Sequence, residues 1–165
     1  MKKLQKRKLE IMADNHTQKQ RSYNMSRIRS TNTAPEERVR KFLFSKGFRY
    51  RKNVKSLPGC PDIVLPKYKT VIFVNGCFWH MHNCKRFTWP SSNKEYWESK
   101  ILRNVERDIR NIDLLRERGW RVLVVWECEL KHKACREKLE HLCYEITALE
   151  NDDQEFCISV SMKHR

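Results

Sequence analysis

Two stretches of the chain carry residue types that do chemistry at short spacing. The first is Leu57-Pro-Gly-Cys-Pro-Asp62, whose acid opens the apolar run Ile63–Leu65. The second is Gly76-Cys77-Phe78-Trp79-His80-Met81-His82-Asn83-Cys84, which follows the apolar residues 71–74. Both runs are rich in β-branched residues and bounded by Pro or Gly, the pattern of short buried strands joined through the tight connection at 66–69. An acid at the start of such a strand is either a turn residue or a metal ligand. Pro61 before it and three apolar residues after it fix its direction and favour the ligand. Phosphodiester hydrolysis needs Mg²⁺ held by few protein oxygens, because this ion keeps waters and takes its remaining ligands from the phosphate. Asp62 with one main-chain carbonyl of the neighbouring strand would be enough.

The Cys/His cluster points to a second metal. Cys77, His82 and Cys84 offer three ligands from one turn, and Cys128 beyond a later apolar run would complete a closed tetrahedral Cys₃His zinc site. A closed site is structural and would tie the strand at 71–74 to the run at 120–126. The competing reading is buried thiols beside a surface histidine. His80 lies too near His82 to be a further ligand. It is either a surface histidine or a general base, since a neutral imidazole beside a Mg²⁺ site can take a proton near pH 7. Phe78 and Trp79 are adjacent on a four-residue ligand spacing, so both rings cannot turn inward.

The elements that must position these groups follow from caps and periodicity. Thr33-Ala-Pro-Glu36 is a capping box with Pro in the first turn, followed by the apolar face of Val39, Phe42 and Leu43, and Gly47 ends the helix. Residues 48–52 read as a strand. Ser92-Asn-Lys-Glu95 reads as a second capping box, opening a long helix that runs to about Arg118 before Gly119. Residues 120–126 are apolar except for Arg121 and predict a buried strand. A last helix carries Leu139, Leu142, Cys143, Ile146 and Leu149. The predicted class is α/β in the order α-β-β-β-α-β-α. On the long helix Trp97, Ile101, Val105, Ile112 and Leu115 share an arc of about 80°, and Asp108 falls inside it. An unpaired carboxylate there would cost several kcal/mol, so it needs a partner: an arginine, or His80, whose ring it would orient for base catalysis. Lys100, Arg103, Arg107 and Arg110 on this helix either contact phosphates or are solvated.

Composition bounds the partner. The 165 residues hold 35 Lys+Arg against 20 Asp+Glu, a net charge of +15 that favours a polyanion: nucleic acid first, an anionic membrane surface second. No amphipathic basic helix with an aromatic face supports the membrane. No apolar run approaches the ~18–20 residues of a span, and no apolar segment follows the basic N-terminus as a signal peptide requires. These features predict a cytosolic protein whose 7 Cys are thiols or metal ligands. The chain divides into a basic arm at 1–32, one domain at 33–150 and a tail at 151–165.

Seven segments in order now make a resemblance specific. They are Asn24-Met25, Thr33-Ala-x-Glu36, Leu57-Pro-Gly-x-Pro-Asp62, Val71-Ile-Phe-x-x-Gly-Cys-Phe-Trp-His80-x-His82-x-Cys84, Asn104-Val-Glu-Arg-Asp108, Gly119-Trp-Arg-Val-Leu and Val125-Trp-Glu-Cys128. The chain resembles the Vsr family, DNA mismatch endonucleases of very short patch repair. The resemblance implies a restriction-endonuclease-like core that nicks duplex DNA beside a T·G mismatch in the cytoplasm. Asp62 and the Val74 carbonyl would hold Mg²⁺, and His80 paired with Asp108 would be the base. Glu36 would support the site through bound water. Cys77, His82, Cys84 and Cys128 would hold a structural zinc. Phe78, Trp79 and Trp97 would wedge into the duplex, and the arm with Asn24, Met25, Arg27 and Arg29 would cross the opposite groove. Mismatch-repair proteins such as MutL are the implied protein partners of a monomer. Val74 and Asn75 stand where members often carry Thr and His, Met81 and Asn83 interrupt a run that is often all His, and Cys60 replaces a common Arg. A restriction-type or transposon nuclease without mismatch preference is the alternative, and a non-catalytic zinc DNA-binding module is a third reading.

Overall fold

Alternation of side chains along short strands builds both layers of this protein. A computed structural model of the chain describes residues 31–131 and 134–161, with Thr17, Lys19, Gln20, Tyr23, Ser26 and Arg27 before them, and of 149–161 the backbone alone. Asn24, Met25 and Arg29 lie outside the described residues. Helix α1 (Ala34–Ser45) leads to strands β1 (Arg51–Lys52), β2 (Ile63–Leu65) and β3 (Thr70–Asn75). Helix α2 (Lys94–Glu117), strand β4 (Arg121–Trp126) and helix α3 (Ala134–Ser161) complete the order α-β-β-β-α-β-α. The sheet order is β1-β2-β3-β4, antiparallel except for the parallel pair β3/β4, which runs in register from Thr70 opposite Arg121 to Asn75 opposite Trp126. A parallel pair needs a long crossover, and α2 supplies it.

Each face of the sheet has its own cover. Ile63, Leu65, Ile72 and Val125 point to one side and meet Val39 and Leu43 of α1 and Leu139, Leu142 and Ile146 of α3. Val64 and Val71 point to the other side and meet Leu115 of α2, with Phe73, Trp120 and Val122 around them. The result is a helix–sheet–helix sandwich. Among the described residues no helix is long and apolar enough to cross a membrane.

Three local expectations need correction. The second helix starts one residue later than expected: the N-cap of α2 (from Lys94) is Asn93 rather than Ser92, sits in the left-handed region (φ 50°) and makes no side-chain cap bond. The main-chain carbonyl of Asn93 takes the first helical bond, from the Trp97 N–H at 3.1 Å. The strand expected over 48–52 is only two residues long: the Phe48 N–H is taken by the Leu43 carbonyl at the end of α1 (3.1 Å), and only Arg51 and Lys52 pair with β2, opposite Val64 and Ile63. Strand β4 is half-buried apart from Val125, since it is the edge of the sheet with a neighbour on one side only. The first capping box is present as expected, with the Thr33 side chain bound to the Glu36 N–H and the Glu36 carboxylate bound back to the N-cap backbone.

Candidate active site and metal centre

Asp62 stands one residue before β2, at the end of the loop that carries Gly59 and Cys60. Both loop residues are left-handed, with φ of 71° and 52°. A Cβ at Gly59 would lie 3.1 Å from Asn111 Nδ2 and from a ring atom of Phe73, so only glycine lets this loop close against α2 and β3. The Asp62 carboxylate then accepts the Val74 N–H at 2.8 Å through Oδ2, which places the β3 main chain beside it. Burial pushes the Asp62 carboxyl up to about 6, and the nearby Glu36 carboxylate adds to this against the Val74 bond and Arg40. A carboxylate so short of compensating charge suits a cation.

His80 comes from the turn after β3 and Asp108 from the middle of α2. His80 Nδ1 is hydrogen-bonded to Asp108 Oδ2. With the Nδ1 proton donated to the carboxylate, Nε2 keeps its lone pair and can accept a proton. The His80 main chain is itself held, its N–H donating to Gly76 O at 3.3 Å, and Asn104 of α2 donates to the Trp79 carbonyl at 3.1 Å. Of the two partners open to Asp108 from the sequence, the structure supplies the histidine rather than an arginine.

Asp62, His80, Asp108, Glu36 and Val74 line one cleft of about 1400 Å³ between the α2 face and the β3 end. Lys55, Lys100, Arg107 and Arg110 line it too. Glu36 is buried and its carboxylate is held at both oxygens, accepting from Thr33 Oγ1 at 2.8 Å and the Asn32 N–H at 2.9 Å and pairing with Arg40 at 3.0 Å. Asn75 lines the cleft next to Val74. Arg27 is exposed, donates to the Tyr23 hydroxyl at 3.0 Å, and is not among the lining residues, which begin at Thr31.

The turn that carries His80 also gathers Cys77, His82, Cys84 and Cys128, whose ligand atoms lie within 4.8 Å of one another. His82 offers Nδ1, 3.4 Å from Cys128 Sγ. Its ring stacks on Trp126 of β4 at 4.0 Å and 2°. Backbone bonds from His82 N to Cys77 O at 3.0 Å and from Cys84 N to His82 O at 2.8 Å close the turn. Burial pushes the Cys77 thiol up to about 12. Three sulfurs and one imidazole in that space form a donor set that fits a divalent soft cation, which would reverse the shift by binding thiolate.

At the rim of the cleft the rings pack on each other. Phe78 meets Trp79 at 5.1 Å and Trp97 at 5.5 Å, and Trp79 meets Trp97 at 6.0 Å; all three are half-buried. Phe87 backs Phe78 at 6.4 Å. The Lys100 ammonium sits 5.5 Å from the Trp79 ring and 5.4 Å from that of Trp97.

A family model described as DNA mismatch endonuclease Vsr matches residues 13–86. The DNA mismatch endonuclease Vsr of Escherichia coli K12 is 45% identical over 150 residues, covering 87% of this chain and 96% of its own. The chain belongs to the Vsr family. A Neisseria meningitidis protein named type II nicking enzyme V.NmeAIP is 55% identical over 136 residues, covering 82% of this chain and 97% of its own. Among solved structures, the catalytic domain of the homing endonuclease I-Bth0305I has a TM-score of 0.47 at 25% identity, covering 72% of this chain and 97% of that one. Within this Vsr-family site, sequence reasoning passed over Arg40, Asn104 and Trp126. Arg40 had a signal: it lies one helical turn after Glu36, where an acid and a base meet on one face. Asn104 and Trp126 stand inside two of the matched segments, but what each touches, the Trp79 carbonyl and the His82 ring, is distant in the sequence, so no role could be read for either.

Proposed function

We propose that this chain nicks one strand of duplex DNA beside a T·G mismatch, using Mg²⁺. The observation that carries the reading is the meeting of Asp62 with the His80–Asp108 pair in a cation-lined cleft that has an aromatic rim. Asp62 and the Val74 carbonyl would hold Mg²⁺, which when bound neutralises charge on the scissile phosphate. His80 Nε2 takes the proton of the attacking water, while Asp108 holds the ring in the tautomer that leaves Nε2 free. Attack is in line with the departing ester oxygen, which takes its proton from solvent water. Glu36 acts on the site through water. Lys100, Arg107 and Arg110 position the phosphate backbone.

Phe78, Trp79 and Trp97 form one block of rings, large enough to enter a base step. Unstacking costs a few kcal/mol, and less at a wobble pair, so a wedge converts weak pairing into specificity. Cys77, His82, Cys84 and Cys128 would hold a structural zinc that fixes the turn bearing His80 and two of the three rings, Phe78 and Trp79. Arg27, with Asn24, Met25 and Arg29, would reach the opposite groove. The family also suggests a monomer acting in the cytoplasm, with mismatch-repair proteins such as MutL as partners.

The test uses a T·G duplex with Mg²⁺ or EDTA. Wild-type protein should nick only with Mg²⁺. Asp62→Ala should bind the duplex in EDTA as wild type does and fail to nick it. Nicking by Asp62→Ala at the wild-type rate would remove this site from consideration.

A further inference from the structure

Asp62 is held at two points, and only one of them is its carboxylate. The other is its main-chain carbonyl, which accepts Arg40 Nη2 at 2.9 Å. Arg40 belongs to α1 and is 1% exposed, an unusual place for a guanidinium. Its donors are spread over several acceptors. Nη2 also reaches Asn53 Oδ1 at 3.0 Å and pairs with Glu36 Oε2 at 3.0 Å. Nη1 reaches Asn32 Oδ1 at 2.8 Å and Glu37 Oε1 at 3.3 Å. Nε is buried and makes no hydrogen bond among the described residues.

We infer that Arg40 is a positioning residue for Asp62, setting the direction of the metal-ligating carboxylate through the main-chain carbonyl of the same residue. The inference rests on the proposed Mg²⁺ role of Asp62. The physical reason is local. The residue lies just outside the paired part of β2, where Ile63 pairs with Lys52 and the bond from Asn53 N to Asp62 O is long, at 3.5 Å. The sheet ladder therefore holds this carbonyl weakly, and Arg40 holds it from the helix side. Fixing the carbonyl fixes the Cα–Cβ vector within the staggered choices left to the side chain. Val74 then selects one of them through Oδ2. Arg40 also neutralises Glu36, so that this second anion is bound in place beside Asp62 rather than free to turn towards it. A planar fork with donors on two nitrogens can serve Asp62, Asn53 and Asn32 together; an ammonium on one stem cannot.

The discriminating variant is Arg40→Lys, which keeps a positive charge opposite Glu36 and removes the fork. Asn53→Gly is the second variant. It tolerates the left-handed backbone at that position (φ 48°) and removes one anchor of Nη2 without touching the Arg40–Glu36 pair. Two measurements are made on the full chain: nicking rate against Mg²⁺ concentration, and Mn²⁺ binding by electron paramagnetic resonance on an already nicked T·G duplex that cannot turn over. Loss of metal-supporting partners costs about 10–100-fold in affinity, so the Mg²⁺ and Mn²⁺ midpoints for Arg40→Lys should rise by about tenfold or more. Asn53→Gly should shift both in the same direction by less. The rate at saturating Mg²⁺, zinc content and duplex affinity in EDTA should stay near wild type. Unchanged metal midpoints in both variants, whatever their melting temperatures, would overturn the inference and leave Arg40 as a staple between α1 and the sheet. Asp62→Ala run alongside separates the two levels. If it nicks, the reading of the site fails; if it is inert while Arg40→Lys keeps wild-type midpoints, only the inference about Arg40 fails.

Discussion

At Asp62 the environment works against the charge that the proposed chemistry needs. Its folded carboxyl sits at about 6 against an ordinary 3.8, chiefly through burial. A raised folded value means that the native state binds the proton more tightly than the unfolded chain. Stability from this group is therefore complete below pH 4 and is lost as the pH rises through about 6, a loss of about 2–3 kcal/mol before metal binds. Asp62→Asn keeps an oxygen for the Val74 N–H and has no charge to bury. It should abolish nicking, and in metal-free buffer it should be more stable than wild type above pH 6, with the difference vanishing below pH 4. Denaturant melts of both proteins from pH 4 to pH 8 would show it, and a variant less stable at every pH would contradict the burial argument. His80 and Asp108 make a second residue-scale case. His80→Ala should slow single-turnover nicking by roughly 10²–10⁴-fold, the range for loss of a general base. Asp108→Asn should fall part of the way, because the ring survives but its orienting acceptor is weakened. Equal activity in all three proteins would contradict the pairing.

Among the elements, the turn between β3 and α2 carries the most and has the least regular structure of its own. It holds three of the four clustered Cys and His side chains, His80 and two of the three rings proposed to form the wedge. Removing its cross-link to β4 should therefore undo several functions at once. Cys84→Ala should lose bound zinc by elemental analysis, melt at lower temperature and nick poorly, whereas a zinc-free wild-type protein of unchanged stability would argue that the cluster is only thiols. Truncating one ring is milder: Trp79→Ala should reduce nicking of T·G duplexes more than binding to matched DNA at fixed salt. Equal losses on both, with a lower melting temperature, would return the ring to the core.

The same turn shows what the sequence made legible. The spacing of Cys77, His82 and Cys84 announced the cluster, and the Thr33–Glu36 box placed α1 to within a residue, because both are local signals. The partner of Asp108 was narrowed to two choices by helical periodicity, and only the fold could select His80. The start of α2 was misplaced by one residue for a local reason, a left-handed Asn93 that takes the N-cap position. The edge position of β4 and the burial of Arg40 depend on contacts across the sheet, which no window of sequence contains.

For the molecule as a whole, a net charge of +15 gives affinity for any duplex, and the cleft must add the choice of site. Lys100, Arg107 and Arg110 lie on the cleft side of α2 with His80, Asp108 and Asp62, so positive charge and the proposed catalytic groups share one face. Binding to matched DNA should then weaken steeply with salt, while the preference for a mismatch should be much less salt-sensitive, because it comes from stacking and pairing. That preference can be read from one comparison. Single-turnover nicking of two duplexes identical except for one T·G or T·A pair, at saturating protein with Mg²⁺, compares them without interference from binding strength. One strand should be nicked at the T·G pair, and little or nothing at the T·A pair. Equal nicking of both duplexes would contradict this and leave a nuclease without mismatch preference.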